Sequence, residues 1–346
     1  MQRFSASSVS HGKSQLLMKN RIRRWHALWD PDRYHGWGQS PPYFEGWYFK
    51  MVDAQERYTF AVIPGISIGK AEDSHAFIQV LDGKQCRASY HQFPIAAFQP
   101  SDQRFEVRLG NNLFSRERLI LDLPELSGEL RIENPVAWPK MLGAPGVMGW
   151  YSFVPFMQCY HGVVSMHHTF QGNLKVYGED TDFNSGKGYI EKDWGRSFPA
   201  CWIWTQSNHF DDPQPTSLMA SVAKIPWLGN YFIGFIVGFL HGEKLYRFAT
   251  YTGAQMKASL SENTVHIAFK NKQRQRLEII AHQAEGSDLR SPLSGTMTGK
   301  VNESMKATLE VALYENEKLI FSGIGRNAGL ELAGPVELLL SQDWRR

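Results

Sequence analysis

The sequence predicts an all-β protein, built as two antiparallel β-barrel or sandwich domains in tandem. Three observations carry that prediction. Apolar runs of strand length recur from Trp47 to Gly325, and Gly, Asn, Asp or Pro closes most of them. Aromatic residues make up 13% of the chain, with 11 Trp, 13 Tyr and 21 Phe, and such residues favour strands and line apolar pockets. The 346 residues are 42% apolar and 21% charged, enough for two cores and too apolar for a disordered chain.

Taken in order, strand signals fall at 47–52, 58–64, 75–81, 105–109, 119–123 and 129–133. After an irregular stretch they resume at 161–170, 172–176, 201–207, 217–225, 232–240 and 244–251. The last group is 257–260, 264–270, 275–281, 304–314 and 318–325. The dipeptide DG at 82–83, GNN at 110–112, HGEK at 241–244 and ENEK at 315–318 read as turns. Within 264–281, Val265, Ile267 and Phe269 share one face, and Leu277 and Ile279 share one, as in antiparallel strands with a wet side. Residues 135–156, rich in Pro, Gly, Trp and Met, read as a long functional loop. The most apolar run, YFIGFIVGFL at 231–240, falls far short of the ~20 residues that span a bilayer as a helix, and its two Gly and β-branched residues indicate a buried strand. Few helices are expected. Residues 1–24 are polar and basic without an apolar signal core, and read as a disordered or weakly ordered arm. The two β domains are then expected over 25–190 and 191–346.

Composition also excludes function classes. With 37 basic against 34 acidic residues the net charge is +3, which gives no footing for nucleic acid. Three scattered cysteines, Cys86, Cys159 and Cys201, supply neither a disulfide framework nor a thiolate zinc site. The strings GxGxxG, GxxxxGK[ST] and HExxH are absent. His167 and His168 are neighbours on one strand and point to opposite faces, so the two cannot easily share a metal. His161, His167 and a distant carboxylate could converge on one, but hydrogen-bonded or surface imidazoles are the expected reading, and no metal or cofactor is expected.

Polar chemistry concentrates in three aromatic clusters. In QSPPYFEGWYFK (39–50), Tyr43, Glu45, Trp47 and Phe49 share a strand face, and Phe44, Tyr48 and Lys50 take the other. A carboxyl group among rings either lines a cavity, where its pKa rises and it can give a proton, or pairs with a Lys or Arg that closes the barrel. In YIEKDWGRSF (189–198), Tyr189, Glu191 and Asp193 share a face, with the two acids roughly 6–7 Å apart along the strand. Two like charges on one face raise each other's proton affinity, which suits an acid and its partner, though pairing with Arg196 or Lys187 is the structural alternative. In CWIWTQSNH (201–209), Trp202, Trp204, Gln206 and Asn208 share a face: two indoles, then two amides. That graded surface suits a ligand with a long apolar part and a polar head, or a developing carbocation over ring faces.

These blocks, with RYHGWGQSPP at 33–42, GWYSFVPFMQCYHGVVS at 149–165 and LYRFATYTG at 245–253, resemble the tocopherol cyclase family over roughly residues 30–335. The resemblance implies a pair of lipocalin-like domains related in fold to carotenoid hydratases. It implies an isomerase that closes a chromanol ring on a prenylated benzoquinol: the tail alkene nearest the ring is protonated, and a phenolic hydroxyl captures the tertiary cation. The resemblance implies an architecture that also hosts pericyclases, and the alternatives for this chain are a hydratase or pericyclase acting on a polyene and a non-catalytic carrier of lipids or quinones. Asp193 stands where the photosynthetic members often have Asn, which moves the expected acid to Glu191, with Asp193 and Glu45 as further catalytic candidates. Substrate contacts are expected from Tyr43, Trp47, His75, Trp202, Trp204, Gln206 and Asn208. The expected ligand is a prenylated quinol or other isoprenoid lipid. The short arm points to a bacterial member, cytoplasmic or peripheral at the inner membrane, touching it through the loop at 139–156.

Overall fold

The structure, a computed structural model, describes residues 6–345. Strands take 61% of it, in two antiparallel sheets of 12 and 11 strands. The all-β expectation holds. In the first sheet Tyr43–Val52 lies between Thr59–Ile68 and Lys187–Gly195, and the latter pairs in turn with Cys159–Val176. The second sheet repeats the arrangement: Trp202–Ser207 lies between Thr216–Trp227 and Lys318–Ala333, which pairs with Thr296–Glu315. In each half, then, the opening strand is sealed by the last long one. The stretches 161–170 and 172–176 form one strand, Cys159–Val176, that bends through register shifts. The strand containing residues 190 and 191 belongs wholly to the first sheet, and the chain passes to the second between Gly195 and Trp202.

The one α-helix among the described residues, Ala6–Trp29, covers most of the stretch that reads as an arm. Its apolar side chains collect on no single face: Leu16, Leu17, Met18, Ile22 and Trp25 are all exposed, so no amphipathic stripe announces it. Arg23 fixes it to the body, 2.7 Å from Asp102 and 4.0 Å over the Trp37 ring. Residues 1–5 of the arm lie outside the described residues.

Each sheet folds round its own apolar core. Trp47, Phe49, Phe60 and Phe114 belong to the first, and Phe235, Phe239, Phe248 and Phe269 to the second. A third apolar cluster, with Tyr48, Tyr189, Trp204, Met219 and Met305, joins the two sheets. Strand alternation therefore decides everything in Tyr43–Val52: odd residues enter the first core, and Tyr48 and Lys50 face the second domain.

Glu45 follows the odd residues and is fully buried inside the first core. Lys192 reaches it at 2.5 Å, the amides of His35 and Gly36 donate at 3.0 Å, and the Tyr43 hydroxyl donates as well. Burial pushes the Glu45 carboxyl up, but Lys192 and His35 outweigh it and hold it below its ordinary value. Lys192 itself lies 4.6 Å from Trp47 and 4.7 Å from Trp194 across their rings. The ion pair closes the barrel and leaves Glu45 no route to a ligand between the sheets. Glu45→Gln should strand Lys192 as an uncompensated buried cation and cost about 3–5 kcal/mol of stability by chemical denaturation. A loss below about 1 kcal/mol would contradict the ion pair's structural role.

Candidate functional site

Between the sheets lies a cavity of about 190 Å³. Its walls are largely apolar, with Phe44, Ile63, Phe77, Met148, Phe235 and Val301 among them, and four carboxyl groups interrupt them: Glu191, Asp193, Glu303 and Glu331. The register explains how they meet. In the first sheet Glu191 stands opposite Tyr48, and Asp193 stands opposite Gly46 on one side and His161 on the other. In the second, Trp204 stands opposite Glu331, which stands opposite Glu303. The two rows face each other across the cavity. Gly329 makes room for the Trp204 indole, since a Cβ there would sit 2.5 Å from its ring.

Each domain holds the other's acid. The Trp204 indole N–H donates to Glu191 Oε2 at 3.0 Å, and the Tyr48 hydroxyl donates to Glu303 Oε1 at 2.5 Å. The two rings meet edge to face, 5.5 Å apart at 68°. Glu191 also accepts from the Tyr189 hydroxyl at 2.7 Å. Trp202 donates to Glu331 Oε2 at 2.5 Å. His161 bridges the acids of the first sheet, with Nδ1 3.0 Å from Asp193 and Nε2 3.4 Å from Glu191.

Electrostatics follow from burial in this apolar gap. Burial lifts Glu191 to about 7 against the pull of His161, and lifts Glu303 to about 8. Burial and the neighbouring Glu303 push Glu331 well above its usual value. Burial works against a charged His161, but Asp193 and Glu191 outweigh it and raise the imidazole to about 9. The donor atoms of His161, Glu191 and Asp193 lie within 4.8 Å of one another, close enough for a metal ion. Both imidazole nitrogens already face a carboxylate, however, and the set is an ion-paired triad rather than an open cage. The arrangement can keep carboxylic acids protonated near neutral pH beside an apolar ligand, and can hold a cation over the rings of Tyr48, Trp202 and Trp204.

The tocopherol cyclase-like family model matches residues 122–334, more than half of the chain. The chain belongs to the tocopherol cyclase-like family. It is 20% identical to an Oryza sativa subsp. japonica protein named "Probable tocopherol cyclase, chloroplastic", over 87% of this chain and 77% of that one. It is 21% identical to the chloroplastic tocopherol cyclase of Zea mays, with the same coverage. Two solved structures share its fold: CghA, with a TM-score of 0.54 and 11% identity over 86% of this chain and 90% of that one, and an AttH-type protein of Nitrosomonas europaea, with a TM-score of 0.51 and 15% identity over 84% and 92%.

For this family member, the structure brings together Glu191, Asp193, Trp202 and Trp204 in the cavity wall. It does not bring the other expected residues there. Tyr43, Glu45 and Trp47 face the first core. Gln206 and Asn208 share the face of Trp204 as their parity requires, but lie beyond the cavity: Gln206 accepts from Lys50 at 2.8 Å and Asn208 donates to the Gly188 carbonyl. His75 bonds to the Tyr90 hydroxyl outside the lining. The string Gly65–Ile66–Ser67–Ile68–Gly69 has the spacing of a serine-nucleophile elbow. It runs along a strand, though, and the Ser67 hydroxyl is spent on the Gly295 carbonyl at 2.7 Å. Sequence reasoning missed Tyr48, Glu303 and Glu331, and it took up His161 only as a possible metal ligand beside His167, whereas His161 lies with Glu191 and Asp193. Tyr48 and His161 were within reach of the parity rule, since both pair with the Lys187–Gly195 strand at its acids.

Proposed function

We propose that the protein is an isomerase that closes a ring on a prenylated aromatic quinol. A carboxylic acid of the cavity protonates the tail alkene, and a phenolic oxygen captures the tertiary cation. The observation that carries the reading is an apolar cavity whose wall presents carboxyl groups with raised proton affinity from both domains. Such a group can give a proton to an alkene only while it still carries one at working pH, and burial supplies that condition. Aromatic faces offset the cation, and exclusion of water favours the phenolic oxygen as the nucleophile. Membership of the tocopherol cyclase-like family supports the same reaction class.

The test is incubation with a panel of prenylated quinols, read by chromatography and NMR because substrate and product have equal mass. A cyclised isomer is expected. A product heavier by one water would make the protein a hydratase, and tight binding without turnover would make it a carrier.

An isoprenoid substrate must be drawn from lipid, and the surface beside the cavity fits that task. The wall residues Tyr151 and Phe232 continue outward into exposed Trp150, Phe156, Leu228 and Tyr231, with Trp150 and Phe156 packed on Trp227. Phe153 meets Trp29 of the Ala6–Trp29 helix at 5.3 Å, and that helix carries Lys19, Arg21, Arg23 and Arg24 with no acidic residue. No helix among the described residues is long and apolar enough to cross a membrane. This aromatic and basic face suits peripheral contact. The protein should float with liposomes containing an anionic phospholipid and lose that binding when Trp150 and Phe156 are changed to Ser. No flotation at any lipid composition would contradict the membrane contact.

A further inference from the structure

Of the four carboxyl groups of the cavity, Asp193 is paired with His161 at 3.0 Å, and the other three make hydrogen bonds that differ in kind. Glu191 Oε2 collects the Tyr189 hydroxyl, the Trp204 indole and the approach of His161 Nε2. Two donors on that oxygen, with the His161 ring beside it, favour the ionised form. Glu331 Oε2 accepts from the Trp202 indole, and Glu331 is the more exposed member of its cross-strand pair with Glu303. Glu303 is 1% exposed, with Tyr48 donating to Oε1 and its Oε2 buried without any protein partner. A buried carboxyl oxygen without a donor is costly as an anion. The same oxygen carrying a proton is an O–H on a residue that lines the cavity.

We propose that Glu303 hands the proton to the substrate, and that Glu191, in its setting of His161 and Asp193, takes up the proton that the phenolic oxygen loses. This assignment rests on the cyclase reading above, and it replaces Glu191 as the acid expected from the sequence. The proton on Glu303 Oε2 passes to one alkene carbon, and the alkene π pair becomes the new C–H bond. The neighbouring carbon, now a tertiary cation, accepts a lone pair from the phenolic oxygen to close the C–O bond. The phenolic O–H bond breaks and its proton goes to Glu191. Substrate and product are isomers, and proton exchange with water restores Glu303 and Glu191 for the next cycle.

The groups around Glu303 keep the assignment consistent. From the Tyr43–Val52 strand come Tyr48 and Lys50, from Lys187–Gly195 comes Glu191, and from the adjacent strand comes Glu331, its cross-strand partner. Lys50 is the one cation among them. Its ammonium is turned to the carbonyls of Gln206 and Asn327 and to the Gln206 side chain, and burial lowers it to about 7. Glu331 opposite is a second carboxyl group, so ionising both is disfavoured and one proton stays with the pair. With Glu303 near 8 and Glu191 near 7, the rate should fall as pH rises through about 8, where the donor loses its proton. It should also fall as pH drops through about 7, where the acceptor is already protonated.

The experiment compares wild type, Glu303→Gln, Glu191→Gln and Tyr48→Phe by quinol turnover across pH, by ligand binding, and by difference infrared spectroscopy of the protonated carboxyl stretch. Glu303→Gln should lose ~10²–10⁴-fold in turnover with binding retained, the worth of general acid catalysis. Glu191→Gln should lose the low-pH limb, and Tyr48→Phe should shift the high-pH limb while the protein remains folded. In wild type a protonated carboxyl band should bleach with a midpoint of about 8 and be absent from Glu303→Gln. Full turnover in Glu303→Gln, or an unchanged band in that variant, overturns the assignment. If wild type turns over no quinol, the cyclase reading fails by itself, and the infrared band still decides whether Glu303 holds a proton at neutral pH.

Discussion

Two crossed hydrogen bonds hold this molecule's chemistry in place. Trp204 of the second sheet donates to Glu191 of the first, and Tyr48 of the first donates to Glu303 of the second, while the two rings touch edge to face. Each cavity acid takes a hydrogen bond from the opposite domain, and for Glu303 it is the one side-chain donor found among the described residues. A rotation of one sheet against the other would break both bonds and strand Glu303 without a donor, at a cost of about 1–3 kcal/mol. Domain packing and proton affinity are therefore set by the same contacts, and a change that loosens the interface also retunes the acids.

The Lys187–Gly195 strand shows how much one segment is asked to do. Alternation turns Lys192 and Trp194 into the first core and Tyr189, Glu191 and Asp193 toward the second sheet. Polar groups are thus buried on both faces, and each side needs its own compensation. Inward, Lys192 finds Glu45 and two aromatic rings. Outward, Glu191 and Asp193 find His161, Tyr189 and Trp204. The inward charges are neutralised in a pair and become structural, whereas Glu191 is left with a raised proton affinity against an apolar gap. Gly195 ends the strand at a φ of +148°, where a Cβ would lie 2.4 Å from the Gln158 carbonyl oxygen.

Much of this was legible in the sequence because period two is unambiguous. The parity rule sorts Tyr43, Glu45 and Trp47 from Phe44 and Tyr48, and groups Glu191 with Asp193 and Trp202 with Trp204. It says nothing about which face is the barrel's own core and which meets the other domain, so Glu45 and Trp47 are expected at a ligand they never reach. Gln206 and Asn208 have the right parity but lie too far along the strand. Glu303 and Glu331 were hidden for another reason. Glu303 sits just before the apolar run at 304–314, in a strand whose register shifts between Ser304 and Ala307, so simple alternation loses phase there. Glu331 follows the apolar run at 318–325 by several residues, and only cross-strand pairing over 28 positions joins the two. The Ala6–Trp29 helix was illegible because its apolar residues follow no stripe and its anchors, Asp102 and Trp37, lie elsewhere in the chain.

The central claim is that the space between the two sheets, and neither barrel interior, is where substrate is held. The most direct test is a crystal structure with a prenylated hydroquinone whose tail alkene is saturated, so that it binds without reacting. The account predicts the chain along the aromatic wall of the interdomain cavity, with the saturated carbons beside Glu303 and a ring oxygen on the side of Glu191. A ligand seated inside the first barrel against Trp47 and Glu45, with the interdomain cavity empty, would contradict it.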